Sequence, residues 1–323
     1  MISIHIDKVK NVQETFKAEI TDQRKSAYNK LLLIDPTIFS IAEQTYLQSV
    51  IHLFNDASFL LKTPSEIESI KNNIGGLPPI SIYTNGRPEK KQLTHYIQEA
   101  LGYTQLRKTF YPKYFRNIGI KTCVYCNSQL TIVISKSKTE IDARLEVDHH
   151  YSKSDFPFFS ISLFNLFPCC SSCNKRKSST PVNFKLYTED ASKLKKSDYD
   201  FKITKTSKCN FLLTKDTEKI EIIFNDLSVL PIGNKSLQSA FNVIEIHNTQ
   251  KDIIAELIIK SQVYNESFKR ILQNNFSKLS LSQSDFDRVI VGNYTEEKDI
   301  HKRPFSKMTM DIAKQLGLTK QKK

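Results

Sequence analysis

Apolar side chains recur near the helical period between residues 10 and about 73, at Leu31, Leu32, Leu33, Ile38, Ile41, Tyr46, Val50, Leu53 and Phe54. That spacing predicts helices. The stretch NNIGGLPPISIYTNGRP, from Asn72, interrupts them with Gly and Pro pairs. Residues 88 to 110 return to the helical pattern. It changes at KTCVYCNSQ, after which QLTIVIS (129–135) and ARLEVDH (143–149) read as strands. Strand signals continue between 195 and 226 in DYDFKITK, CNFLLTK and KIEIIF. From Leu237 the pattern is helical to the end, with Ile253, Ile254, Leu257, Ile258 and Val263 on one face and a last helix after Pro304. The tail LTKQKK is expected to fray. The pattern predicts an α+β chain in three regions: a mainly helical segment (1–110), a cysteine-rich centre (111–190), and a C-terminal segment running from strands to helices (191–323).

Composition narrows the class. The chain has 323 residues, 39% of them hydrophobic, with 8 Gly and 11 Pro, so it is globular and can bury a sizeable core. The net charge of +13 favours a polyanionic partner, nucleic acid or an anionic membrane surface, over a merely basic soluble surface. MISIHIDKVK lacks the apolar core of a signal peptide, and no run is long enough for a membrane span. A cytoplasmic protein without a membrane partner is expected. Disulfides are then unfavoured, and closely spaced cysteines read as metal ligands.

Five of the six cysteines lie between 123 and 173. Cys123 and Cys126 make one C-x2-C pair, and Cys170 and Cys173 make a second. Each pair presents two thiolates from one turn, and together they suit a tetrahedral structural zinc. Cys169 is out of phase and reads as packing, and Cys209 as core.

Between the pairs, EVDHH (146–150) ends an apolar run with an acid and two histidines. Asn165-Leu166 follows, then Cys170-x2-Cys173-Asn174, and Lys177 three residues later. In order and spacing these elements resemble the zinc-containing HNH endonucleases, over about 60 residues (123–181). The resemblance implies a small zinc-stabilised ββα-metal core and metal-dependent hydrolysis of phosphodiester bonds. It implies His149 as general base, and Asp148 and Asn174 as ligands of a catalytic Mg2+ or Mn2+. It implies that Asn165, the family's central Asn, pins the backbone carrying the histidine. Asn174 stands where the family often has His, which leaves the ligand count and metal preference open.

The chemistry agrees with these assignments. Hard divalent cations prefer oxygen ligands, and a neutral imidazole can take a proton from water. Strict strand alternation would turn Asp148 and His150 to one face and His149 to the other, unless the strand bends at its end. His150 sits where the family usually has an apolar residue. A helix is expected from near Ser171 to before Pro181, with KRK at 175–177 near its N-terminus. Lys153, Lys175, Arg176 and Lys177 are then candidates for the nucleic-acid backbone. Phe156, Phe158, Phe159 and Phe164 read as core. His301 reads as a surface residue, and His5, His52, His95 and His247 have no evident partner.

The leading expectation is an HNH-type endonuclease acting on DNA in preference to RNA. DHHYSKSDFPFFSISLFNLFP with the downstream RPFSK is similar to nuclease subunits of bacterial restriction and Septu-type anti-phage defence, which implies a partner ATPase. No P-loop is present in this chain. The alternatives are a non-catalytic zinc-dependent nucleic-acid-binding module, which does not account for the spacing of Asp148, His149, Asn165 and Asn174, and a structural adaptor.

Overall fold

Six α-helices form where the N-terminal periodicity places them and a seventh just beyond it, in a computed structural model that describes residues 2–79, 92–137, 140–194, 197–227 and 230–319. Residues 80–91, including most of the Gly/Pro stretch, and the last four residues of the tail lie outside the described residues. A two-residue strand β1 (Ile4–His5) leads into α1 (Ile6–Thr15) and α2 (Lys17–Leu32), followed by α3 (Ile41–Asn55) and α4 (Pro64–Ile74). Ser40–Glu43 and Thr63–Glu66 cap α3 and α4 reciprocally, satisfying otherwise unpaired amides of the first turn. Leu31, Tyr46, Val50 and Phe54 turn inward, whereas Leu32, Leu33 and Ile41 face solvent, as one-sided helices require. Three short helices follow: α5 (Leu93–Leu101), α6 (Tyr103–Thr109) and α7 (Tyr111–Ile118). The left-handed backbone at Gly102 makes the break between α5 and α6.

The central segment contains β2 (Ile132–Ser135), β3 (Ile141–Arg144), β4 (Glu146–His149), β5 (Leu166–Cys169) and α8 (Ser171–Lys177). The run 143–149, expected as one strand, divides at Leu145. β3 returns along β2 as one antiparallel ribbon, while β4 pairs with β5 as another. The C-terminal segment continues with β6 (Tyr187–Thr188), β7 (Tyr199–Ile203), α9 (Lys205–Thr214), β8 (Ile222–Asp226), α10 (Leu237–Phe241), α11 (Val243–Asn248), α12 (Lys251–Val263), α13 (Glu266–Asn275), α14 (Gln283–Val291) and α15 (Ser306–Gln315). CNFLLTK, expected as a strand, belongs to α9. Thr204 caps that helix on the Ser207 amide, and Ser207 and Phe211, one turn apart, are its buried positions. The same helix leaves Cys209 exposed, which corrects its expected place in the core.

One apolar core runs from Ile4 to Leu318 through all three segments. β1 lies parallel to β6, with Ile4 opposite Tyr187. One edge of β7 is completed by side chains of α15: the Phe201 amide donates to Asp311 and the Ile203 amide to Gln315. This pairs strand edge groups that would otherwise invite another chain. Among the described residues no helix is long and apolar enough to cross a membrane.

His301 is buried, and its Nε2 donates to the Ile2 carbonyl at 2.9 Å, correcting its expected surface position. His247 is also buried, with Nδ1 donating to the Val243 carbonyl at 2.8 Å. Burial pushes both imidazoles down to about 4. Between that value and the ordinary one near 6.5, the unfolded chain binds protons that the folded chain refuses. Stability is therefore full above pH of about 6.5 and falls as pH drops toward 4, by at most about 1.4 kcal/mol per pH unit for each histidine. The urea midpoint is expected to be clearly lower at pH 5 than at pH 7.5, and equal midpoints would contradict burial of these rings.

Candidate functional site

The first knuckle is a tight turn. The Asn127 amide donates to the Cys123 carbonyl at 2.9 Å, and Asn127 takes a left-handed conformation (φ 53°) that an Asn tolerates. Cys170 caps α8 and Cys173 lies in its first turn, so the second pair is carried on a helix start. The four Sγ atoms lie within 4.8 Å of one another. In a tetrahedral zinc–thiolate site, with bonds of about 2.3 Å, sulfurs stand about 3.8 Å apart, so the cluster could hold a structural metal ion such as zinc. Four thiols this close do not keep their protons equally. Hydrogen bonding, from Cys123 above all, drives Cys126 far below the ordinary thiol value, while burial drives Cys123 up. The Ser128 hydroxyl donates to Cys126 Sγ at 3.1 Å.

The knuckle also anchors the chain's C-terminal part. The Asn127 side chain donates to the Ile300 carbonyl and accepts from the Lys307 amide, and the Asn127 backbone carbonyl accepts from the Phe305 amide at 2.6 Å. The RPFSK stretch is thereby locked onto the Cys123–Cys126 turn.

From the knuckles rise β4, β5 and α8. Asp148 stands opposite Phe167 and His149 opposite Leu166 in the ribbon. Asp148, His149 and Asn174 line one cleft of about 420 Å³. His150 does not. Its ring stacks on Phe167, with centroids 5.4 Å apart, and it lines a separate small cavity with Tyr187 and Lys185. Strict alternation therefore fails at this strand end, because β4 stops at His149 and the chain bends. Asn165 holds that bend. Its Oδ1 accepts from the Tyr151 amide at 2.8 Å, and its Nδ2 donates to the Tyr151 and Phe159 carbonyls at 3.1 Å each. Asn165→Ala removes all three bonds inside a buried turn and is expected to cost about 3 kcal/mol. Urea denaturation measures it, and a loss below about 1 kcal/mol would mean that packing alone sets the bend.

His149 is buried, with its ring centroid 4.8 Å from that of Tyr103. Its Nε2 lies 3.1 Å from the Ser160 carbonyl. A carbonyl only accepts, so Nε2 carries the proton and Nδ1 keeps its lone pair. Burial pushes this imidazole down to about 3, and the nearby Lys153 and Lys177 add to the effect, so it is neutral at physiological pH.

Asp148 is the one carboxylate on the cleft lining among the described residues. Its Oδ2 accepts from the buried Tyr125 hydroxyl at 2.5 Å and from Lys177 Nζ at 3.0 Å, and its Oδ1 lies 3.3 Å from the same Nζ. Asn174 is half-buried on the lining, and its side-chain amide makes no hydrogen bond to a described residue. Asp148 and Asn174 are thus oxygen donors available to a hard cation.

The basic residues divide. Lys153 and Lys175 line the cleft, together with Arg107. Arg176 is turned away, with Nε donating to the Ala240 carbonyl at 3.3 Å. Lys177, expected beside a phosphate, is only 3% exposed and points inward, where its ammonium also donates to the His149 carbonyl at 2.7 Å. KRK occupies the last turn of α8 rather than its start, because the helix ends at Lys177. There the cations complement the helix dipole instead of opposing it.

Three contributors were not foreseen. Tyr125 sits inside the first C-x2-C pair, so its spacing could have drawn attention to it. Tyr103, whose hydroxyl donates to the Val147 carbonyl at 2.8 Å, and Ser160 reach the site through tertiary packing that no local pattern announces. Compared with known proteins, the chain matches no family model, no curated protein and no solved structure.

Proposed function

We propose that this chain is a metal-dependent endonuclease of the HNH kind, cutting nucleic-acid phosphodiester bonds, in DNA rather than RNA. The observation that carries the reading is the convergence of Asp148, His149 and Asn174 on one cleft, with the His149 tautomer set by the Ser160 carbonyl. His149 takes a proton from the attacking water at Nδ1. Ser160 fixes the imidazole, and Asn165 fixes the bend that follows it. Asp148 and Asn174 would hold Mg2+ or Mn2+, which when bound stabilises negative charge on the phosphoryl and departing oxygens. Lys153 and Lys175 give the cleft a cationic wall toward which a phosphate backbone is drawn, while Arg107 on the same lining is paired with Glu146. The four cysteines, carrying structural zinc, brace the β4–β5 ribbon against α8. Bacterial restriction or anti-phage defence beside a partner ATPase is the setting that the DHHYSK and RPFSK similarity suggests.

The test uses plasmid, linear and single-stranded DNA, and RNA, with Mg2+, Mn2+ or EDTA. Cleavage is expected to need the added ion and to vanish in Asp148→Asn, whose amide oxygen can still accept from Tyr125 or Lys177, while zinc content and nucleic-acid retention persist. Retention without cleavage under every condition, with an ATPase partner supplied, would instead support a zinc-dependent binding module.

A further inference from the structure

Lys177 is the one basic residue of the site that is sealed inside the protein. Its ammonium touches Asp148 Oδ2 and Oδ1 at 3.0 and 3.3 Å, and the His149 carbonyl at 2.7 Å. Three acceptors and burial hold it there; it cannot retreat into solvent or be screened by salt as a surface lysine is. We propose that Lys177 is a built-in counter-ion that keeps the divalent affinity of the free protein low, so that the ion is taken up together with a substrate phosphate. The proposal rests on the nuclease reading above.

The charge count leads to it. Among the described residues Asp148 is the one carboxylate on the cleft lining, and the fixed ammonium already neutralises it. Asn174 is neutral, Arg107 is already paired with the Glu146 carboxylate, and Lys153 and Lys175 add only positive charge. A divalent ion approaching the free protein therefore meets oxygen donors but no net negative charge. A phosphodiester brings both the missing charge and a further oxygen. Ion and substrate then strengthen each other's binding, and by linkage they do so equally. Lys177 also draws the Asp148 carboxylate and the His149 carbonyl onto one group, so it is a positioning residue that keeps the strand end in register without a metal.

The experiment uses the full zinc-loaded chain with His149→Ala, so that cutting is slow on the timescale of the measurement, at pH 8. Mn2+ binding is followed by the loss of the free-ion paramagnetic resonance signal, with and without a DNA oligonucleotide. Only binding that disappears in Asp148→Ala is counted. The oligonucleotide is expected to tighten Mn2+ about tenfold, and Lys177→Met to tighten it about tenfold without oligonucleotide, since even in water a unit charge a few ångströms from a divalent ion is worth about that much. Lys177→Arg, which keeps the charge, is expected to stay weak. Lys177→Gln is a second uncharged variant that can still donate to the His149 carbonyl, and zinc content reports whether each variant is folded. Unchanged or weaker Mn2+ affinity in the folded uncharged variants overturns the proposal. So does a parent affinity that ignores the oligonucleotide, whatever the variants do. Absence of any Asp148-dependent Mn2+ binding would instead overturn the nuclease reading itself.

Discussion

Cys173→Ala is expected to cost the chain its fold and its metal together. Cys173 lies in the first turn of α8, a helix of seven residues. A helix that short does not hold in water by itself. Its anchors are the metal turn and the buried Lys177, and Lys177 sits at the other end of the same two turns. If Cys173 is lost, three thiols remain where four are needed, and α8 loses its fixed start. Asn174 and Lys177 then lose their places, and Asp148 is left buried without its counter-ion, which is strongly destabilising. The damage spreads, because Asn127 on the same knuckle accepts the Phe305 and Lys307 amides that seat α15. Structural zinc in small domains is worth about 10–16 kcal/mol, as large as the whole stability of an ordinary domain. Atomic emission is expected to find one zinc per wild-type chain, none in Cys173→Ala, and no cooperative thermal transition in the variant. Wild-type protein without zinc, or a variant melting at the wild-type temperature, would remove the metal from its structural role.

What the sequence made legible was local. The two C-x2-C pairs, the strand ending in Asp148-His149 and the helix after Cys170 are set by short spacings, and the structure brings the four thiols together. What it hid was non-local or one-sided. Tyr103 reaches His149 from a helix in the N-terminal segment, and His301 is covered by the first residues of the chain. A strand period could not foretell the bend at His150, because that bend belongs to hydrogen bonds from Asn165, on a separate turn. Thr204–Ser207–Phe211 fits a capped helix, yet the apolar letters of CNFLLTK also fit a strand, and tertiary packing decided between them. Lys177 looked like its neighbours Lys175 and Arg176. Only its distance to Asp148 separates a buried counter-ion from a surface cation.

His149→Ala is expected to lower cleavage by about 10²–10⁴-fold, the usual contribution of a positioned general base, while Mn2+ and DNA still bind. The variant removes the one imidazole on the cleft among the described residues and leaves Asp148, Asn174 and the cationic wall in place. The pH profile discriminates further. Burial holds the free-protein imidazole near 3, so His149 is neutral across pH 5 to 8. The rate constant kcat/KM reports free-enzyme ionisations, and a bound cation beside the ring would depress its protonation further. The acid limb due to His149 therefore lies below pH of about 5, and no limb near the ordinary histidine value of about 6.5 is expected. On the nuclease reading the ion and the phosphodiester enter together, so the charge added beside the ring is not net negative and does not raise its proton affinity. The limb in kcat is accordingly also expected below pH of about 5. A single limb near 6.5 in both, or full activity in His149→Ala, would assign the proton to another group.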